Sequence, residues 1–238
     1  KPDTGRVREI LDIARDSGIR MLDTAAVYGE SEAVLGACGV SGWSVVTKVP
    51  SLADVDEAAI GRKARDSVLR SLELLRTDSL YAVLAHDSRD MIGARGRHLH
   101  AALETMQAEG LIGRIGMSVY APQDMEGVSA ERAQVVQAPF NVFDQRFVRS
   151  GAAATLRRNG GELHVRSVFL QGLLLMPASD RPARFAPWAA MLERYDARVR
   201  DSGLDPAAFC LGFAARQADV AHCVVGVDSP QQLSELVA

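Results

Sequence analysis

At 238 residues, 47% of them hydrophobic and 24% charged, the chain has enough apolar material for one large globular core. Its 27 basic and 30 acidic side chains leave a net charge of −3, without the basic excess of a nucleic-acid or anionic-membrane binder. No apolar run reaches the ~18 residues of a membrane-spanning helix, and the first residues do not read as a signal peptide. Cys38, Cys210 and Cys223 lack metal-ligand spacing and cannot all pair within the chain, so a reducing, cytoplasmic setting is expected.

In chain order, Gly5 to Ser17 reads as an amphipathic helix with Val7, Ile10, Leu11 and Ala14 on one face and Gly18 as its stop. The apolar run from Ile19 to Leu22 reads as a buried strand that delivers Asp23 at its end. A small-residue loop then presents Tyr28, and Ser31 is placed to cap a short helix over Glu32 to Leu35. Ser44 to Lys48 is a β-branched strand closed by Val49-Pro50, and a helical pattern runs from about Asp56 to Leu75. Leu80 to His86 is a third strand, and Leu99 to Glu109 a helix stopped by Gly110. Strands follow at Arg114 to Ser118 and Ala133 to Gln137, with a short helix over Pro122 to Val128 between them.

Phe147 to Asn159 reads as one helix ended by Gly160-Gly161, and Glu162 to Arg166 as the sixth strand. A surface excursion rich in Pro and Arg spans Met176 to Pro187, ahead of helices over Trp188 to Arg200 and Pro206 to Gln217. Cys223 to Gly226 is the last strand, and Ser229-Pro230 opens a closing helix. His222-Cys223 looks like a metal-binding fragment but has no partner at ligand spacing, so it reads as core and rim.

Strand and helix alternate at roughly 30-residue spacing, the pattern of a parallel sheet with helical crossovers. The strands are short and apolar, and their polar residues fall at their C-terminal ends: Asp23, Lys48, His86, Ser118, Gln137 and Arg166. In a (β/α)8 TIM barrel that end is the active-site face, which favours the barrel over a doubly wound sheet. One α/β barrel domain over residues 1–238 is therefore expected. Only seven strands are read, and the first element is a helix. An eighth strand ahead of Gly5, which about 10 to 25 residues would supply, is expected to be missing from this chain, or the barrel to be incomplete. The first residue, Lys1, is not a methionine, which fits a start inside a longer chain.

Asp23, Tyr28, Lys48 and His86 would then share one mouth. A lysine ammonium beside a phenol favours the phenolate and makes the phenol a better acid, and in reverse a usable base. Asp23 would hold the lysine charged, and His86 could orient a substrate carbonyl. Such a set suits protonation of an oxygen while a cofactor delivers hydride to the carbon.

The segments GIRMLDTAAVYGESEAVLG, VVTK, SLELLRTDSLYAVLAHDSRD, EGLIGRIGMSVY, VVQAPFNVFDQR, RSVFLQGLL and VVGVDSPQQL resemble the aldo-keto reductases over nearly the whole chain. That resemblance implies an NAD(P)-dependent oxidoreductase interconverting a small-molecule aldehyde or ketone and its alcohol. Tyr28 would be the general acid/base, Lys48 and Asp23 its tuning pair, and His86 the substrate-orienting residue. It also implies a nicotinamide cofactor bound without a Rossmann fold. Ser118 and Gln137 would hold the carboxamide, and Arg166, Leu170 and Gly172 would lie along the nicotinamide and pyrophosphate. Gly226, Asp228 and Gln232 would meet the far end of the cofactor. Four positions depart from the family pattern: Val119 stands where many members have Asn, and Arg166 where many have an aromatic. Asp228 and Gln232 stand where members that bind the 2′-phosphate of NADP place basic residues, so the cofactor implied is NADP with a weaker preference than the family norm and NAD as the alternative. Arg181 and Arg216 are the nearest basic candidates for that phosphate. The competing reading is a cofactor-binding barrel with a regulatory or interaction role and little turnover.

Overall fold

The structure, a computed structural model, describes residues 3–129 and 132–237. Seven strands form one parallel sheet in which each pairs with the next in chain order. They are β1 (Met21–Asp23), β2 (Ser44–Val49), β3 (Leu80–Ala85), β4 (Ile112–Ser118), β5 (Val135–Pro139), β6 (Glu162–Arg166) and β7 (His222–Cys223). The larger helices are α1 (Thr4–Asp16), α2 (Ser31–Cys38), α3 (Ile60–Leu75), α4 (Gly93–Ala108), α5 (Arg146–Arg149), α6 (Ala152–Arg158), α7 (Ala189–Ser202), α8 (Pro206–Ala215) and α9 (Pro230–Val237).

The sheet is curled. Gln137 Nε2 on β5 donates to Asp23 Oδ1 on β1 at 2.7 Å, and Tyr81 on β3 donates through its hydroxyl to Glu162 on β6 at 2.7 Å. In a flat sheet, strands four and three apart would be separated by about 19 and about 14 Å, so side-chain contact between them requires closure towards a barrel. The alternation of each strand divides its residues accordingly. Val45, Val49, Val83, Ile115, Met117, Leu163 and Val165 join the large core shared with the helices. Val46, Ala82, Leu84 and Val135 form a second, inner cluster. That inner face also carries Lys48, Ser118, Gln137, His164 and Arg166, the register keeping Ser118 beside Gln137 and His164 beside His222. Among the described residues, β1 and β7 are the two edges of the sheet, each paired on one side.

The seven-strand reading and the parallel order agree with the sequence, and several boundaries move. The expected last strand over Cys223 to Gly226 shortens to His222–Cys223, although Val224 N still donates to Val165 O at 2.7 Å. As an edge strand it has one neighbour to hold it extended. The helix expected over Phe147 to Asn159 is two, α5 and α6, because Gly151 takes a left-handed φ of 78° between them. The expected helix over Pro122 to Val128 contracts to a 3₁₀ turn over Pro122–Met125. α4 begins at Gly93, ahead of the expected Leu99. Ser31 is the first helical residue of α2 rather than its cap, and its Oγ accepts from Thr24 Oγ1 at 3.0 Å. Ser229 does cap α9, its Oγ accepting from Gln232 N at 3.1 Å.

Candidate active site

β1 ends at Asp23 and β2 carries Lys48 on its inner face, so the first strand pair brings an acid and a base together at the C-terminal mouth. Lys48 Nζ donates to Asp23 Oδ1 and Oδ2 at 2.9 and 2.8 Å and to Thr24 O at 2.9 Å. All three ammonium protons are thereby used, and the side chain is only 1% exposed. Gln137 supplies a further donor to Asp23, so its carboxylate is held from two strands besides its own. Behind the pair, Thr47 Oγ1 donates to the buried Glu32 carboxylate at 2.6 Å, pinning α2 against β2. The loop that carries Tyr28 is thus anchored by Thr24–Ser31 within it and by Thr47–Glu32 at its far end.

Tyr28 lies over this pair. Lys48 Nζ is 5.3 Å from the centre of its ring, and His86 meets the ring edge-on with centroids 5.9 Å apart. The Tyr28 side chain remains half exposed towards the mouth, where a substrate can reach it. All four residues expected to act together are within one cluster. Their electrostatics differ from the simplest expectation. Burial, then the Asp23 charge, holds the Tyr28 phenol above its ordinary value, with Arg166 opposing. Lys48 acts chiefly on Asp23, which makes Tyr28 a firmly protonated acid rather than a lowered one. Burial also pulls the Lys48 ammonium below its ordinary value, against the restoring charge of Asp23. His86 is lowered by burial and by Lys48, so it is neutral at pH 7 and able to donate one N–H.

The remaining expected residues extend from this cluster along the mouth. Ser118 is buried beside Gln137, and its hydroxyl has no hydrogen-bond partner among the described residues. Arg166 ends β6, donates to Val119 O at 3.1 Å, and stacks its guanidinium 4.5 Å from the centre of the Tyr120 ring. Beyond Arg166 the chain turns through left-handed residues, Leu170 at φ 48°, Gln171 at 54° and Gly172 at 85°. The first two are non-glycine residues in a region that costs them of order 1 kcal/mol each, and such strain collects at binding sites. An apolar cavity of about 180 Å³ opens beside Leu170, between Phe143, Phe185 and Trp188.

Three loops of the mouth are tied to one another. Asn141 Nδ2 donates to Ser167 O at 3.2 Å, and Arg146 Nη2 donates to Tyr120 O at 3.0 Å. The two basic candidates for the far end of a cofactor fare differently from expectation. Arg181 is committed to Asp196 through a two-pronged contact at 2.6 and 2.7 Å. Arg216 closes α8 as its C-cap. Asp228 N donates to Gln232 Oε1 at 2.7 Å, so that side chain turns back onto its own loop. A larger cavity, about 670 Å³, sits at the opposite, N-terminal end of the strands around Tyr81, Gly113, Arg114 and Gln134, away from the cluster.

The aldo/keto reductase family model matches residues 2–238. The chain belongs to the aldo/keto reductase family. Solved structures agree on the fold. Glycerol dehydrogenase AKR11B4 from Gluconobacter oxydans matches with a TM-score of 0.78 at 22% identity, over 100% of this chain and 80% of that one. Aldo-keto reductase AKR11C1 from Bacillus halodurans matches in its apo form with a TM-score of 0.76 at 21% identity, over 100% and 81%. Its holo form gives 0.74 at 21% identity, over 100% and 81%. A search of curated protein sequences finds no match. The seven parallel strands of the described residues are thus a curled part of the (β/α)8 barrel fold of the aldo-keto reductases. This is an oxidoreductase family that acts on small-molecule carbonyls with nicotinamide cofactors.

The donor set at the mouth fits such a cofactor. The Ser118 hydroxyl, without a hydrogen-bond partner among the described residues, lies beside the Gln137 carbonyl oxygen, which likewise accepts none there. Together they match the acceptor and donor atoms of a carboxamide. Sequence reasoning missed Thr24, Glu32 and Thr47 as supports of the loop, since nothing in their spacing shows that they meet.

Proposed function

We propose that this chain is a single-domain NAD(P)-dependent aldo-keto reductase that converts an aldehyde or ketone to its alcohol, or the reverse, with Tyr28 as general acid/base. The observation that carries the reading is the buried Lys48–Asp23 pair directly beneath the Tyr28 ring, with neutral His86 at the ring edge. When bound, the nicotinamide supplies hydride to the carbonyl carbon. Ser118 and Gln137 would hold its carboxamide, Arg166 would face the ring, and Leu170 with Gly172 would follow the pyrophosphate. Gly226, Asp228 and Gln232 would border the adenosine end.

Within the protein, His86 donates its N–H to the carbonyl oxygen and fixes the angle at which that oxygen meets Tyr28. Tyr28 then passes its phenolic proton to the oxygen as negative charge develops there. Lys48, held in place by Asp23 and Thr24, stabilises the phenolate left behind. In the oxidative direction the same phenolate takes the alcohol proton back. A phenol held above its ordinary value stays protonated at neutral pH, the form that carbonyl reduction needs.

NADP is the expected cofactor, with NAD as the alternative and a weak preference between them. Asp228 is exposed at the end that meets the 2′-phosphate, and Arg181 is held by Asp196. Three free cysteines support a cytoplasmic setting. The test is fluorescence titration with NADPH and NADH, followed by turnover on a panel of aldehydes and sugars. Cofactor binding with reduction of any aldehyde supports the proposal. Binding without turnover on every substrate would favour a regulatory, cofactor-sensing barrel, and no binding would reject both.

A further inference from the structure

Away from the mouth, the inner faces of β6 and β7 bring together three side chains that the reductase chemistry does not use. Glu162 and His164 lie two residues apart on β6 and so point to the same side. His222 on β7 is the direct register partner of His164. The two imidazoles meet edge-on with centroids 4.7 Å apart, and each of the three residues offers a ligand atom within 4.8 Å of the others. We propose that Glu162, His164 and His222 form a binding site for a divalent transition metal of the zinc class, which clamps the two-residue strand β7 to β6.

Without metal, His164 Nε2 lies 3.0 Å from Glu162 Oε2, and an ionised carboxylate can only accept, so Nε2 carries the proton. An ion held by both would displace that proton and sit between two donors already close to their separation around zinc. His164 Nδ1 lies on the far side of the ring from Glu162 and is not a ligand of that ion.

Glu162 is itself held from below: Tyr81 donates to both of its oxygens at 2.7 and 2.8 Å, and Arg114 lies 3.3 Å away. Those contacts position the carboxylate and temper its charge, which leaves the two imidazoles as the main donors. Imidazole nitrogen with carboxylate oxygen suits zinc and its first-row neighbours rather than calcium or magnesium. The spacing of up to 4.8 Å is wider than the ~3.4 Å between donors around a tetrahedral zinc ion, so the side chains close in on binding. Cys223 points to the opposite side of the strand, into the helix-facing core, and takes no part. His222 is partly exposed.

The experiment is calorimetric titration of the chelator-treated, dialysed protein with ZnCl₂ and with CoCl₂, alongside thermal unfolding with and without each metal. Wild type is expected to bind one equivalent, to gain a cobalt visible band, and to unfold at a higher temperature with metal present. Glu162→Gln should weaken binding about 10- to 100-fold, and His222→Gln at least as much, with loss of the metal-dependent thermal shift. Because His164 is buried and its replacement can prevent folding, the decision rests on His222→Gln, with circular dichroism confirming the fold. His98→Asn is the surface control. Absence of binding by wild type, or binding unchanged by His222→Gln but lost in His98→Asn, would overturn the proposal.

Discussion

At the residue scale, the account turns on a phenol kept protonated and a lysine kept charged. Because the Tyr28 phenol is held above its ordinary value of 10.0, kcat/KM for carbonyl reduction should stay flat from roughly pH 6 to 9 and fall only above about 10. A fall beginning near neutrality would assign the proton to another group. Asp23→Asn removes the counter-charge of a lysine that is 1% exposed, a change expected to cost about 3 kcal/mol of stability in urea unfolding or to leave Lys48 neutral. Asp228→Asn should shift the ratio of dissociation constants a few-fold towards NADPH, the scale of an exposed charge at ~0.2–1 kcal/mol. A ratio that does not move would place the phosphate elsewhere. The four central residues were legible because each stands at or beside a strand end, in a fixed order. The Gln137 bond to Asp23 was not, since it spans 114 positions and depends on how far the sheet curls.

At the scale of elements, strand–helix alternation was readable from apolar runs and stop residues, and most misreadings were of boundaries. Gly151 splits one expected helix because only the folded chain shows that its φ is positive, and the last strand shortens because it lies at an edge. Close packing between helices was likewise invisible. A Cβ placed on Gly36 in α2 would lie 2.0 Å from Leu74 O in α3. That atom belongs to backbone and cannot swing aside, so the helices must separate. Gly36→Ala is therefore expected to destabilise by about 1–3 kcal/mol in chemical denaturation, with near-wild-type stability as the contrary result.

At the scale of the whole molecule, the parallel order of seven strands and the sharing of one mouth by their C-terminal ends followed from the sequence pattern alone. The polar interior beneath that mouth did not, because Glu162, His164 and His222 are ordinary residues until register and curl bring them together. Burial holds the His164 imidazole below its ordinary 6.5 in the folded state. The unfolded chain then binds more protons as the pH falls, so the stability tied to neutral His164 is present above about 6.5 and lost below it. Thermal unfolding in the presence of chelator should show a midpoint that drops as pH falls through this range, and a His164→Gln variant that folds should flatten the drop. The central claim is that the mouth reduces carbonyls with Tyr28 as proton donor, and one comparison tests it most directly: single-turnover oxidation of bound NADPH by an aromatic aldehyde, in wild type and Tyr28→Phe. The account predicts a rate about 10²- to 10⁴-fold lower in the variant at an unchanged cofactor dissociation constant; equal rates in the two proteins would contradict it.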